Sequence, residues 1–118
     1  MKWRKAEDKY NYLSVKYDKT YERLRVFEAL LKEEPKLGLS TSEQERVRSM
    51  IREYTDFKRL CGRCKNEIII LAFIFYVKIL SNPRLRLHKW RICKKYGLTN
   101  EKYMLIITRL SEPTFNEQ

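Results

Sequence analysis

The run Ile68-Ile69-Ile70-Leu71-Ala72-Phe73-Ile74-Phe75-Tyr76-Val77-Lys78-Ile79-Leu80 decides the fold. It is apolar on every side, so whatever element it forms belongs inside a core rather than at a surface. The β-branched residues Ile68, Ile69, Ile70 and Val77 would also suit a buried strand. At 13 residues the run exceeds an ordinary strand, and it falls short of the roughly 20 residues that a bilayer requires. Lys78 inside it also argues against a membrane span. The run therefore reads as a buried helix with shorter elements around it.

Its flanks give the boundaries. The helix starts near Cys64 to Asn66, after Gly62-Arg63. Asn82-Pro83 ends it, because the proline ring removes a donor and disfavours helical geometry in the residue before it. Upstream, Tyr10 to Leu31 places Val15, Leu24, Phe27, Leu30 and Leu31 at helical spacing, and Pro35 with Gly38 closes that helix. Ser42-Glu43-Gln44-Glu45 has the form of a capping box, after which Val47, Met50, Ile51 and Tyr54 share a face. Downstream, Leu87 to Tyr96 is a fourth helix with Trp90 and Cys93 facing in and Gly97 as a left-handed cap. Thr99 caps a fifth, whose Tyr103, Ile106, Ile107 and Leu110 share a face. The predicted architecture is a compact, five-helix, all-α domain over residues 1–118, with 1–9 and 112–118 as flexible ends.

A chain of 118 residues holds one domain, and a hydrophobic content of 43% is enough to pack a core. With 3 Gly and 3 Pro there is little material for the turns of a β-sandwich. Met1-Lys2-Trp3-Arg4-Lys5 leads into polar sequence with no apolar h-region, which predicts an intracellular, cytoplasmic protein without a membrane partner.

Charge points toward a partner. Residues 1–57 carry 13 Lys/Arg against 11 Asp/Glu, whereas residues 58–118 carry 13 against 4, so most of the net +11 lies in the second half. Such a segment binds polyanions by releasing counterions from phosphates and needs no base contacts to do so. A solvated basic face would carry the same charge. From Pro83 to Arg109 the cations are Arg84, Arg86, Lys89, Arg91, Lys94, Lys95, Lys102 and Arg109, against the single acid Glu101. The last two helices, linked by Gly97-Leu98-Thr99, have helix-turn-helix spacing. The second helix of that motif enters the major groove with its first turn nearest the bases, which makes Asn100, Lys102 and Tyr103 base-proximal candidates. Tyr103 could also stack on a base.

These residues also carry a resemblance. Leu60-Cys61-Gly62-Arg63, the apolar helix with Lys78 near its end, and Pro83-Arg84 resemble a cyclin-fold repeat of the transcription factor IIB family. Trp3-Arg4, Tyr21-Glu22-Arg23-Leu24 and Leu37-Gly38-Leu39 follow the order at the start of the first repeat of archaeal transcription factor B. The resemblance implies a five-helix cyclin fold that docks on promoter DNA, on TATA-binding protein bound to that DNA, and on RNA polymerase. It also implies phosphate-backbone contact by Arg63, with Lys65 beside it, and a contact by Arg84. Cys64 stands where the family usually has Ser, the central helix is bulkier, and the stretch from Pro83 to Gly97 is longer. With neither a zinc ribbon expected ahead of Trp3 nor a second repeat after Leu110, the expectation is a short regulator or competitor of basal transcription, of the kind an archaeal virus or plasmid encodes. The candidate DNA contacts are thus Arg63, Lys65, Arg84, Arg86, Lys89, Lys94, Lys95, Asn100, Lys102 and Tyr103. Two alternatives stay open: a protein-interaction module that binds the transcription machinery without touching DNA, and an independent helix-turn-helix repressor.

The cysteines add a rival site. Cys61 and Cys64 have the spacing of a zinc knuckle, which His88 and Cys93 could complete as a tetrahedron; a Cys61–Cys64 disulfide is a further possibility. In the cyclin-like reading Cys64 lies near the helix start, Cys93 is a small core residue, and no metal or cofactor is implied. Catalysis has little to draw on: one His, no glycine-rich phosphate loop and no nucleophile paired with a base. The chain is expected not to be an enzyme.

Overall fold

The computed structural model describes residues 19–112, which form six α-helices and two 3-10 turns, with no strand among them. They are α1 (residues 19–33), α2 (Thr41–Glu53), α3 (Phe57–Leu60), α4 (Asn66–Ser81), α5 (Arg91–Tyr96) and α6 (Asn100–Ser111). The 3-10 turns are Pro35–Leu37 and Leu87–Lys89. The expected helix start at Tyr10, the residue Val15 and the two expected flexible ends fall on residues 1–18 and 113–118, outside the described residues, apart from Glu112.

The all-α expectation holds, and α4 is the central element. Its residues Ile68 to Phe75 are all buried, as is Val77, and α2, α3, α5 and α6 pack around it. Phe73, fully buried, meets the edge of Phe57 with ring centroids 5.6 Å apart. Phe27 and Leu30 of α1 join the same core. Lys78 reaches the rim, where its ammonium donates to the Gly38 carbonyl at 3.1 Å and lies 3.6 Å from the Glu43 carboxylate.

Polar contacts fix the direction of the outer helices. Ser81, the last residue of α4, donates to Glu43 in the first turn of α2 at 3.1 Å, so α2 runs antiparallel to α4. At the far end, Arg109 donates to the carbonyls of Arg59 and Leu60, which places the last turn of α6 beside α3. Tyr103, in the first turn of α6, packs edge-on against Phe75. α6 is therefore antiparallel to α4 as well. Arg48 donates to Glu28 and Glu45 and joins α1 to α2. Arg23 is buried, with its guanidinium 3.9 Å over the Phe57 ring and donating to the Thr55 carbonyl. Burial holds its pKa below the ordinary value, against the opposing charges of Asp56 and Glu22.

Three sequence expectations shift. The capping box lies at Ser40 and Glu43 rather than at Ser42 and Glu45. Both pairs have the required spacing, and the contacts of Glu43 with Ser81 and Lys78 favour the earlier one. A sixth helix, α3, is added between the second and third predicted helices. It is a single turn, capped by Asp56 and anchored by buried Phe57 and Leu60. The fourth helix is broken, because Trp90 takes an extended conformation between the 3-10 turn and α5. At about 100° per residue, a continuous helix would spread Leu87, Ile92 and Cys93 around its whole circumference, so that no one face could bury all three. The break lets all three enter the core.

Glycine is required at two ends. Gly38 (φ +59°) follows the first 3-10 turn, and Gly97 (φ +86°) caps α5, where the Gly97 and Leu98 N–H groups satisfy the carbonyls of Lys94 and Cys93.

The Ser40 backbone N–H, followed by the Ser81 hydroxyl and Lys78, holds the Glu43 carboxyl below its ordinary value of 4.5 against a smaller desolvation effect. A depressed carboxyl stabilises the fold above its unfolded-state value, and that contribution is lost as pH falls through the folded value. Wild type is therefore expected to melt above Glu43→Gln at neutral pH, with the gap closing below about pH 4.5. A gap of constant size across that range, read from thermal melts, would remove Glu43 from this network.

A candidate nucleic-acid interface at one end of the bundle

α4 is 16 residues long, about 24 Å at 1.5 Å per residue, and the candidate contacts divide between its ends. Arg63 and Lys65 are exposed in the loop before it, whereas Arg84, Arg86, Lys89, Lys94 and Asn100 are exposed beyond its C-terminus. The structure does not gather them into one patch.

The richer group is built by the chain between α4 and α5. Asn82 accepts from the Arg84 backbone N–H at 3.3 Å, which folds the chain back after Pro83. The segment then alternates, with Leu85 and Leu87 turned toward the core and Arg84 and Arg86 toward solvent. Lys89, Arg91 and Lys94 continue the exposed series. Among the described residues, no carboxylate pairs with any of these five cations; the ion pairs engage Arg48, Arg52, Lys78 and Lys95 instead. Beside them lies an open depression of about 400 Å³, walled by Lys36, Leu37, Lys89, Trp90 and Arg91, with Glu34 at its side. Arg91 was visible in the sequence as a basic residue but not as a candidate contact. Lys36 carried no signal, because it arrives from the turn before α2 and only the antiparallel packing brings it here.

Other candidates do structural work. Lys95 pairs with Glu33 at the end of α1, whose carboxylate also accepts from the Tyr96 hydroxyl. These hydrogen bonds lower the Glu33 pKa and raise that of Lys95. The Lys102 ammonium turns back to the Gly97 carbonyl at 3.1 Å. Arg109 caps α3. Tyr103 is not available to stack on a base: it is 8% exposed against Phe75, and burial pushes its hydroxyl up to about 12. Its place on the apolar face of α6 decides this, since that face must cover α4. The outward face of α6 instead presents Glu101, Met104, Leu105 and Thr108, with no cation, and Met104 is 58% exposed.

The zinc set does not assemble. Cys61 and Cys64 are joined as a disulfide with Cα atoms 5.3 Å apart, the second of the two readings that their spacing allowed. Cys93 is fully buried, and burial pushes its thiol up to about 12. His88 is exposed, and among the described residues no three His, Cys, Asp or Glu side chains converge as metal ligands. No helix among those residues is long and apolar enough to cross a membrane.

No protein-family model, curated protein or solved structure matches the chain. Five cations on a short segment, without a carboxylate partner among the described residues, suit the phosphates of a polynucleotide, which are regularly spaced and singly charged.

Proposed function

We propose that the protein is a DNA-associated transcription regulator that binds duplex phosphates through Arg84, Arg86, Lys89, Arg91 and Lys94. The single observation that carries this reading is the absence of any pairing carboxylate for these five among the described residues. Unpaired cations release counterions from DNA at no cost in broken ion pairs. The contact is to backbone and carries no sequence code by itself. In the transcription factor B-like reading, with α4 as the central helix of a cyclin-like domain, this end lies on promoter DNA. Arg63 and Lys65, about 24 Å away along α4, make a separate, weaker contact. The cation-free outer face of α6 disfavours its insertion into a major groove lined by phosphates.

The exposed Met104 and Leu105 on that same face favour a second reading, in which α6 meets a protein of the transcription machinery such as TATA-binding protein or polymerase. The two readings separate on salt. With five phosphates neutralised, affinity for a plain duplex is expected to fall roughly 500-fold between about 50 and about 200 mM salt. A titration followed by fluorescence anisotropy reads this directly. Binding only to a preformed complex of TATA-binding protein and DNA, with little salt dependence, would support the protein-contact reading and count against the first.

A further inference from the structure

The depression beside the basic segment has a composition that phosphate binding alone does not call for. Trp90 forms part of its wall and is braced from the core side by Phe75, edge-on with ring centroids 5.2 Å apart. Lys36 from the first 3-10 turn, Lys89 from the second and Arg91 from the start of α5 bring positive charge to its walls. Glu34 adds a carboxylate, which already accepts from the Lys36 backbone N–H at 3.3 Å.

Resting on the phosphate-binding reading, we propose that this depression receives one unpaired nucleotide of the bound polynucleotide. The base would lie on the Trp90 indole, with its flanking phosphates on Lys36, Lys89 and Arg91. An aromatic ring stacks on any base, and cations along the same groove hold the backbone. A carboxylate would repel a free phosphate anion, whereas it accepts from the N–H groups on the edge of an unpaired base. The opening of about 400 Å³ is the size of a small-ligand site rather than of a groove for a duplex. A fully paired helix keeps its bases stacked and cannot fill it, so the protein would prefer bulged, nicked-open or melted DNA over paired DNA.

The test uses the full chain carrying Trp3→Phe, which leaves Trp90 as its single tryptophan because the sequence has two. Three probes of matched sequence are titrated at about 50 mM salt: a paired duplex, the same duplex with a one-nucleotide bulge, and the single strand. The bulged duplex and the single strand are expected to quench Trp90 emission. The bulged duplex should also bind about five- to 150-fold more tightly than the paired one. Trp90→Leu and, independently, Lys36→Ala should shrink that preference while leaving salt-sensitive binding of the paired duplex in place. Should Trp90→Leu fail to fold, the quenching and Lys36→Ala still decide the matter. Equal affinity for bulged and paired duplexes overturns the proposal and leaves the phosphate-binding reading standing. Tighter binding of the bulge without quenching overturns it too, since the gain would then come from DNA flexibility. No binding to any probe overturns both.

Discussion

A variant with Arg84→Gln, Arg86→Gln, Lys89→Gln, Arg91→Gln and Lys94→Gln is expected to lose its salt-sensitive affinity for duplex DNA almost entirely. Each neutralised phosphate contributes about 0.9 to the slope of log affinity against log salt, so the slope should fall by about 4.5. Affinity at low salt should drop by at least two to three orders of magnitude on the same arithmetic. All five side chains are exposed and pair with no carboxylate among the described residues, so glutamine at these positions disturbs no buried contact there. The fold should therefore keep its melting temperature to within a few degrees. Anisotropy at several salt concentrations, with circular dichroism as the folding control, makes the measurement. Arg63→Ala with Lys65→Ala is the informative companion and should lower the slope by no more than about 1.8. If the companion removed the larger share, the duplex would lie on the other end of α4 and the proposed interface would be wrong.

Phe73→Ala is expected to destabilise the fold by about 3–5 kcal/mol. Phe73 has no exposed surface, sits midway along the central helix and packs edge-on against Phe57 of α3. Removing its ring leaves a cavity between elements that converge from different parts of the chain, and such a cavity relaxes only in part. In a domain whose total stability is of order 5–15 kcal/mol, this is a large fraction, and the melting temperature should fall by about 10–25 °C. Met104→Ala, at an exposed apolar residue, should change stability by no more than about 0.5 kcal/mol. Thermal melts of the two variants that fell by similar small amounts would show that α4 is not the centre of the core.

Much of the helical frame was legible because its signals are local. The apolar run of α4, the stop at Asn82-Pro83, the left-handed cap at Gly97 and the Thr99 cap of α6 each depend on residues a few positions apart. The misplacements have the opposite origin. The start of α2 was settled by a contact between Glu43 and Ser81, which lie 38 residues apart. The one-turn α3 carries too few residues for a periodic signal, and Phe57 holds it through Phe73 and Arg23. The break at Trp90 exists so that Leu87, Ile92 and Cys93 can all reach one core.

The candidate site divides along the same line. Composition and order along the chain determined that the second half is basic, that Arg84, Arg86, Lys89 and Lys94 are cations on a short segment after the core helix, and that Cys61 and Cys64 are close enough to bridge. Sequence also carried the all-helical class, since helical periodicity and caps are properties of neighbouring residues. Tertiary structure alone decided which cations remain without a partner among the described residues. Lys78, Lys95, Lys102 and Arg109 are as basic in the sequence as the rest, yet each is bound to a carboxylate or carbonyl. For Lys78, Lys95 and Arg109 that partner comes from a distant helix or turn. Packing likewise buried Tyr103, separated Arg63 from Arg84 by the length of α4, and carried Lys36 across to Trp90. A charge is a property of one residue, whereas its availability depends on what folding places beside it.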